Sequence, residues 1–421
     1  MPEGFQSFFL QAFAVFAMLA ILGILIIVHE CGHFLVARMF GFQTPVFGFG
    51  LPFSPYITIA RKWGTEFRIH ALLLGGFVLI PELGDESSLE EHFSVPLKPF
   101  RKFPIWQRAL VAFAGVGFNM LFAYLVMVVM FFSLGEPVQT TVVQSLIADN
   151  PIASKAGVQV GDEILTVNET KVLNSTDAVK KLGSHKNELI TVELLRAGKN
   201  VKLSMHTNAD GKVGMGLVSP VSYRKVEGGV FQTLIAAFVK LWTLTGSMLD
   251  ALGQMLTGTL TALGHMLTGT GGKAHGAHPS LGLQDLHGVL LVVALGADYA
   301  QQDWNQLFLF TIMISMDLAI VNLLPIPALD GGHLAFLFFE AIRGRPVKEQ
   351  VKGELLKWGF ISLLLLMAVV MVNDVTALFT GKYDFRGSRN KNASKDKVIN
   401  HEAGGNAAQD EKVAPSRSAP K

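Results

Sequence analysis

Long apolar segments dominate the pattern of hydrophobic and polar positions along the chain. A membrane-spanning helix needs about 20 consecutive apolar residues. Four segments approach or exceed this length with at most two strongly polar positions each, at residues 8–28, 109–134, 307–324 and 358–379. The pattern therefore predicts four transmembrane helices.

A weaker apolar stretch lies between residues 244 and 267. Its apolar side chains recur at helical spacing and form a single stripe. We expect an amphipathic helix that either lies on the membrane surface or packs against the protein's own core. In neither case does this stretch count as a span.

Residues 137–219 differ from the apolar segments. Charged residues return, and two short β-prone runs, 189–195 and 201–205, are joined by a turn that indicates a hairpin. The run from Pro151 to Asn168, which contains Gly157, Gly161 and Asp162, resembles the PDZ signature in the permuted form of bacterial proteases. The resemblance implies a domain that binds extended peptides by adding a strand to a sheet edge.

The composition agrees with a membrane protein. Of 421 residues, 50% are hydrophobic and only 16% are charged, whereas soluble proteins have about 25% charged residues. The net charge of +2 lacks the basic excess of a nucleic-acid binder, so we expect no nucleic acid among the partners. A single Cys excludes an intramolecular disulfide and an iron–sulfur cluster.

The first apolar segment runs directly into His29-Glu30-Cys31-Gly32-His33. On a helix, histidines four residues apart lie on one face and can ligate one Zn²⁺, with the intervening Glu as general base for a water molecule. Ionisable residues at membrane depth are costly and generally serve function. We therefore predict a zinc site with Glu30 as the catalytic base, rather than two structural histidines.

A catalytic zinc takes three protein ligands and keeps one position open. Asp330 follows the third predicted span and is the candidate for the third ligand. If an even number of crossings separates the soluble domain from that span, the first and third spans run in the same direction. Their C-terminal ends, which carry the histidines and Asp330, then emerge on the same side.

Taken together, these motifs resemble the site-2 protease family of intramembrane zinc metalloproteases, in its bacterial regulator-of-sigma-E form. The resemblance rests on HExxH in the first span, on the motif from Asn322 to Asp330 with two glycines after it, and on the PDZ-like insertion. Gly115 and Asn119 match the family's Gly-x-x-x-Asn motif, and residues 42–84 resemble its membrane re-entrant β-hairpin. Within the latter, strand-like runs at 56–60, 65–69 and 77–80 could form a hairpin whose edge pairs with an unwound substrate.

The resemblance implies roles for further residues and names classes of partner. Asn322 and Asn119 are expected to bind substrate, although a helix-packing hydrogen bond is an equal alternative for Asn119. The expected substrates are single-span membrane proteins already shortened by another protease. The other expected partners are the lipid bilayer and a peptide ligand of the PDZ-like domain. The competing function is a proteolytically inactive membrane scaffold that gathers partners through that domain, and the intact His29, Glu30, His33 and Asp330 favour the protease.

The expected fold is an α-helical polytopic membrane protein with four transmembrane helices, a re-entrant β-hairpin and an inserted α+β PDZ-like domain. Its segments in chain order are the first helix with HExxH (1–41), a cytoplasmic or re-entrant β loop (42–104), the second helix (105–136), the PDZ-like domain (137–219), an amphipathic helix and linker (220–304), the third helix with the Asp330 motif (305–334), a cytoplasmic loop and the fourth helix (335–380), and a disordered tail (381–421).

Positive charge predicts the orientation. Loop 34–104 carries seven Lys or Arg and loop 331–357 carries five, which favours the cytoplasm for the zinc side. Segment 380–400 carries six and opposes this assignment. With the family resemblance, we expect a bacterial inner-membrane protein with its active site near the cytoplasmic face and its PDZ-like domain on the periplasmic or extracytoplasmic side.

Overall fold

The protein is described by a computed structural model that covers residues 3–73, 75–83, 102–268 and 288–379. The helices of the described part are α1 (Glu3–Phe40), α2 (Ile105–Ser133), α3 (Ile152–Lys155), α4 (Ser175–Gly183), α5 (Gly229–Thr268), α6 (Val289–Gln302), α7 (Gln306–Leu323), α8 (Asp330–Arg343) and α9 (Glu349–Phe379). The chain forms two compact units. One unit is Tyr124–Thr243, and the other combines the residues before and after this segment.

Five helical segments are long and apolar enough to cross a membrane. They are Phe9–Phe40, Ile105–Ser133, Gly229–Met255, Gln306–Leu323 and Gln350–Thr376. Four of them overlap the predicted spans, but the fifth, within α5, was not expected to be a span. The expected count of four is therefore not confirmed.

The stretch at 244–267 is helical, as its periodicity predicts, but it does not form a separate helix. It is the C-terminal part of α5, which begins at Gly229 and has 40 residues. The reason lies upstream, where residues 229–243 are also apolar and contain neither proline nor an internal glycine. The position of this helix relative to the membrane stays a prediction.

Residues 46–79 form a four-stranded sheet rather than a single hairpin. Its strands are β1 (Val46–Phe49), β2 (Tyr56–Lys62), β3 (Thr65–His70) and β4 (Gly76–Leu79), in the order β2-β3-β1-β4. Strand β1 pairs parallel with β3 and antiparallel with β4. The edge strand β4 lies against α1, since a Cβ added at Gly76 would be 2.8 Å from Glu30 Cγ. The strand-like runs are confirmed, and their depth in the membrane stays a prediction.

The inserted unit is an α+β domain, compatible with a PDZ-like domain. Its strands are β5 (Glu136–Gln139), β6 (Thr141–Leu146), β7 (Glu163–Val167), β8 (Thr170–Lys171), β9 (Leu189–Arg196), β10 (Lys199–His206), β11 (Met215–Val218) and β12 (Val221–Arg224). The main sheet has the order β10-β9-β7-β6-β11, β8 pairs with β7, and β5 pairs with β12. Val143, Ile164, Ile190 and Leu194 lie in its buried core. The hairpin predicted at 189–205 is β9 and β10.

The short helix α6 packs between α1 and α9. Small residues of α6 meet Met18 of α1, and a Cβ at Gly296 would lie 2.4 Å from the Met18 sulfur. The carboxylate of Asp374 in α9, which is fully buried, accepts hydrogen bonds from the backbone N–H groups of Gly288 (2.9 Å) and Leu291 (3.1 Å) at the start of α6. A side chain from another helix therefore caps α6, which has no capping side chain of its own.

Some sequence predictions fall on residues that the structure does not describe. These are the tail at 381–421, most of the loop between β4 and α2, and the segment between α5 and α6.

Candidate metal centre

The HExxH motif continues α1 without interruption. His29 Nε2 and His33 Nε2 are 3.3 Å apart, as expected for residues one turn apart on one helix face. Gly32, within the motif, is required for packing, because a Cβ there would lie 2.5 Å from the Ala114 carbonyl oxygen of α2. The motif therefore presents two imidazoles and also lets α2 approach α1 closely.

Asp330 is the first residue of α8 and reaches both histidines. Its carboxylate follows a tight loop in which Ala328 has a φ of 77°, a left-handed conformation that is strained for a residue with a Cβ. The next residues must be glycine, since a Cβ would lie 2.2 Å from the Leu324 carbonyl oxygen at Gly331 and 2.4 Å from that of Ile326 at Gly332. The two glycines let the first turn of α8 fold onto this loop and hold Asp330 in place.

The three candidate ligand atoms form an almost equilateral triangle. Asp330 Oδ2 is 3.2 Å from His29 Nε2 and 3.3 Å from His33 Nε2, and the two nitrogens are 3.3 Å apart. Tetrahedral zinc with Zn–N bonds of about 2.0–2.1 Å requires ligand–ligand distances of about 3.3 Å. Asp330 Oδ2 is buried and has no hydrogen-bond partner among the described residues. These residues therefore fit a zinc ion with one open coordination position.

Burial by itself would raise the pKa of the Asp330 carboxyl. The close approach of His29 and His33 outweighs burial and lowers the pKa below its usual range. The two imidazoles therefore favour the ionised form of Asp330, which is the form required of a metal ligand.

Helix α2 supports both histidines from behind. His33 Nδ1 donates a hydrogen bond to the Val111 carbonyl oxygen at 2.8 Å, and Asn119 Nδ2 lies 3.3 Å from His29 Nδ1. Between them, Gly115 leaves the space that the rings occupy, because a Cβ there would lie 2.3 Å from His33 Nε2. One face of α2 thus shapes the rear of the centre.

Glu30 lies beside the ligands and against the edge strand. Its carboxylate accepts a hydrogen bond from the backbone N–H of Val78 in β4. A general base in a metallopeptidase must lie next to the metal without occupying a ligand position. Glu30 satisfies this condition, since the ligand triangle consists of the other three side chains.

The two asparagines occupy different places. Asn322 Nδ2 lies 3.5 Å from His29 Nε2, at the ligand triangle itself, where a substrate carbonyl would have to come. Asn119 is fully buried and contacts the opposite nitrogen of the His29 ring. This arrangement favours the hydrogen-bonding alternative for Asn119 over substrate binding.

Three supporting residues were not assigned from the sequence. Gly115 was noted only as part of a motif, and Val111 and Val78 act through backbone atoms, which leave no signal in side-chain identity. The glycine in Gly-x-x-x-Asn is the one feature that could have been recognised in advance.

Comparison with known proteins agrees with this geometry. A "putative zinc metalloprotease" of Nostoc sp. (strain PCC 7120) is 32% identical over 391 residues, which cover 87% of this chain and 97% of the relative. Zinc metalloprotease RasP of Bacillus licheniformis is 29% identical and covers 87% of this chain and 99% of its own length. Membrane metalloprotease ARASP of Arabidopsis thaliana, a chloroplastic protein, is 28% identical and covers 87% of this chain and 79% of its own length.

Solved structures match a part of the chain. The crystal structure of the PDZ domain of an SdrC-like protein from Listeria monocytogenes covers 18% of this chain and 86% of its own, at 15% identity and a TM-score of 0.17. The family model of peptidase family M50 matches residues 17–366, which include every candidate ligand. With its histidines, its Glu30 and its Asp330 inside that match, the chain belongs to peptidase family M50, the site-2 protease family.

Proposed function

We propose that this protein is a zinc-dependent intramembrane endopeptidase that hydrolyses peptide bonds within or near the transmembrane segments of single-span membrane proteins. The observation that carries the proposal is the triangle of His29, His33 and Asp330 at 3.2–3.3 Å, with Glu30 beside it. Its histidines lie in a helix long and apolar enough to span a membrane. The names of the relatives, which include zinc and membrane metalloproteases, support the metal and the setting.

Each residue of the centre has a distinct role in this reaction. When bound, zinc would act as a Lewis acid on the scissile carbonyl and would lower the pKa of a water molecule. Glu30 accepts the proton of the attacking water and passes it to the leaving amine. The Asn322 amide, adjacent to His29 Nε2, is placed to orient the scissile peptide group by a hydrogen bond.

A substrate helix hides its peptide bonds in its own hydrogen bonds and must be unwound before it can be cut. The edge strand β4 offers a template for the unwound segment, because it pairs with β1 on one side only. The face of β4 lies against α1 near Glu30, since a Cβ at Gly76 would meet Glu30 Cγ, so the free edge lies beside the candidate base. We infer that the substrate adds to β4 as a further strand.

The PDZ-like domain is proposed to select substrates by sterically obstructing bulky ectodomains while passing shortened ones, not to take part in the chemistry. None of the candidate ligands, Glu30 or Asn322 lies in residues 124–243. Replacing 138–218 by a flexible linker should preserve zinc binding and cleavage of shortened substrates, and should add cleavage of substrates with intact ectodomains. Loss of cleavage of short substrates at normal zinc content would show that the domain belongs to the catalytic machinery.

The location of the protein is also proposed. Five apolar helices and its membrane relatives support an integral membrane protein. Assignment to a bacterial inner membrane, with the metal centre near the cytoplasmic face, rests on the Lys and Arg of loops 34–104 and 331–357. Cysteine labelling from either side of sealed vesicles, with single cysteines placed in these loops, tests this orientation.

The decisive test uses the purified full-length protein with a panel of single-span substrates, with and without a zinc chelator. Glu30→Gln should lose about 10²–10⁴-fold of activity, because the base is removed while the ligands remain. Its zinc content should equal that of wild type. Asp330→Ala should lose both zinc and activity. Cys31→Ala is the matched control, since Cys31 lies between the same residues and ligates nothing in the described centre.

Three results would contradict parts of the assignment. Near wild-type cleavage by Glu30→Gln would exclude Glu30 as the base. Full zinc content in Asp330→Ala would place the third ligand elsewhere. A protein that binds zinc but cleaves no member of the panel would favour the scaffold alternative.

A further inference from the structure

The amide of Asn119 is buried beside the metal centre with only one of its two polar atoms in use. Its side chain has no exposed surface. Nδ2 lies 3.3 Å from His29 Nδ1, and Oδ1 has no hydrogen-bond partner among the described residues. Buried acceptors are nearly always paired, so this oxygen requires an explanation.

The protonation state of His29 in the zinc-bound protein explains why Asn119 has a free acceptor. The nitrogen that points to Asp330 and His33 is Nε2, so Nε2 is the ligand atom. A neutral imidazole that ligates through Nε2 carries its proton on Nδ1. An Nδ1–H group cannot accept a hydrogen bond from the Asn119 NH₂ group, so it needs an acceptor at the position that this group occupies.

Asn119 can supply the acceptor without moving its backbone. The oxygen and nitrogen of an amide are nearly equivalent in size, and a half-turn about the Cβ–Cγ bond exchanges them. This rotation places the unpartnered Oδ1 next to His29 Nδ1. It removes the donor–donor contact and pairs the oxygen.

His33 provides an internal comparison. Its Nδ1 already donates to the Val111 carbonyl oxygen at 2.8 Å, which directs its Nε2 to the ligand triangle. Val111, Gly115 and Asn119 follow one another at intervals of four residues on one face of α2. That face supplies an outer acceptor for each ligand histidine and a gap for the rings between them.

We propose that Asn119 is a positioning residue whose side-chain carbonyl accepts the Nδ1–H of His29 and so fixes Nε2 as the zinc ligand. The proposal rests on the zinc site described under the proposed function, and not on proteolysis itself. It replaces the expected role of Asn119 in substrate binding, for which a fully buried amide behind the histidine is poorly placed.

The test measures zinc affinity of the full-length protein in detergent by chelator competition. Asn119→Leu, close in size and without an acceptor, should weaken zinc binding about 10–100-fold, the usual effect of removing such an outer partner. Asn119→Asp keeps an acceptor and should bind zinc at least as tightly as wild type. Gly117→Ala is the matched control, because Gly117 lies on the same helix, where a Cβ would make only an ordinary contact with the Phe113 ring, and should leave zinc affinity unchanged.

A spectroscopic readout separates positioning from general damage. With ¹⁵N-histidine labelling, the zinc-bound wild type should show slowly exchanging Nδ1–H signals from both ligand histidines, His29 and His33, besides that of the buried His70, whose Nδ1 donates to the Ser54 carbonyl oxygen at 3.0 Å. Asn119→Leu should lose the His29 signal and Asn119→Asp should keep both ligand signals. Thermal unfolding of the metal-free proteins verifies that each variant is folded.

The outcomes distinguish this proposal from the proposed function. Equal zinc affinity of wild type and folded Asn119→Leu would refute the positioning role and leave the protease function standing. Zinc binding that depends on Asn119 in a protein that cleaves nothing would refute the protease function and support the positioning role. Absence of zinc binding by wild type would overturn both.

Discussion

Gly115 of α2 lies directly against the two ligand histidines, and adding one methyl group there tests the geometry of the centre. In Gly115→Ala, the new Cβ would lie 2.3 Å from His33 Nε2, 2.6 Å from His29 Cε1 and 2.8 Å from His29 Nε2. Real Cβ atoms essentially never approach other heavy atoms closer than 3.0 Å. The rings or the helix must therefore move by about 1 Å to reach ordinary van der Waals separation.

The magnitude follows from where this strain can be relieved. In the metal-free protein the rings can rotate away, but zinc fixes both Nε2 atoms to within about 0.2 Å. Overpacking a well-packed site costs about 1–3 kcal/mol. If this cost falls mainly on the zinc-bound state, zinc binding weakens about 5- to 150-fold. The fold itself should lose little stability, since alanine is the better helix former by about 1 kcal/mol.

The assay is zinc affinity by chelator competition, together with thermal unfolding of the metal-free protein. Gly117→Ala is the control on the same helix, because a Cβ there would lie 3.4 Å from the Phe113 ring, an ordinary contact. It should bind zinc as wild type does. If Gly115→Ala binds zinc within twofold of wild type, the close approach of α2 to the histidines is wrong.

Three further predictions concern the base, a helix cap and the inserted domain. Gly76→Ala places a Cβ 2.8 Å from Glu30 Cγ and should displace the base. Peptidase activity should therefore fall at least tenfold while the zinc content stays unchanged. Unchanged activity would contradict the packing of β4 on α1. Asp374→Ala leaves the buried Leu291 N–H and the part-buried Gly288 N–H without their acceptor and should lower the free energy of unfolding by about 1–3 kcal/mol. An unchanged melting temperature would exclude the cap. A hydrogen bond from Arg196 lowers the pKa of the Asp162 carboxyl in the folded protein. This hydrogen bond therefore stabilises the fold fully above the pKa of an unfolded Asp, about 3.9, and the stabilisation is lost as the pH falls towards the lowered pKa of the folded state. The protection factors of the β7 and β9 amides in the full-length protein, which correct hydrogen exchange for its intrinsic pH dependence, should therefore fall below about pH 4. Arg196→Met should remove this pH dependence, whereas an identical pH profile of the protection factors in that variant would refute it.

Much of the metal centre was predictable because its residues follow patterns that are visible in short stretches of sequence. The spacing of His29 and His33 depends only on the helical repeat, and the apolar run before them shows that the helix continues into the motif. Asp330 was found by the direction of the spans, and the structure brings its Oδ2 within 3.3 Å of both histidines. The β-prone runs around residues 56–80 and 189–205 likewise became strands, since side-chain pattern determines strands locally.

The count of apolar helices was less predictable. The apolar stripe between 244 and 267 predicts a helix of its own, but this stretch is the C-terminal part of one longer helix from Gly229 to Thr268. Strand β1 was missed as well, because its partners β3 and β4 lie 20 and more residues away and four residues carry little periodicity. Pairing over such distances depends on loop geometry that no short window contains.

The sequence by itself determined the chemistry. One apolar helix carries two imidazoles with a carboxylate between them, and a second carboxylate follows a later apolar helix. Only the tertiary structure decided what supports that chemistry. Gly115 leaves the space that the two imidazole rings occupy, and Asn119 contacts His29 Nδ1. Asp374 caps a helix whose capped residues lie 83 and more positions away in sequence. The physical reason is that ligand identity is a property of side chains at fixed helical spacing. Close approach and burial are properties of pairs of helices, and they exist only once the chain has packed.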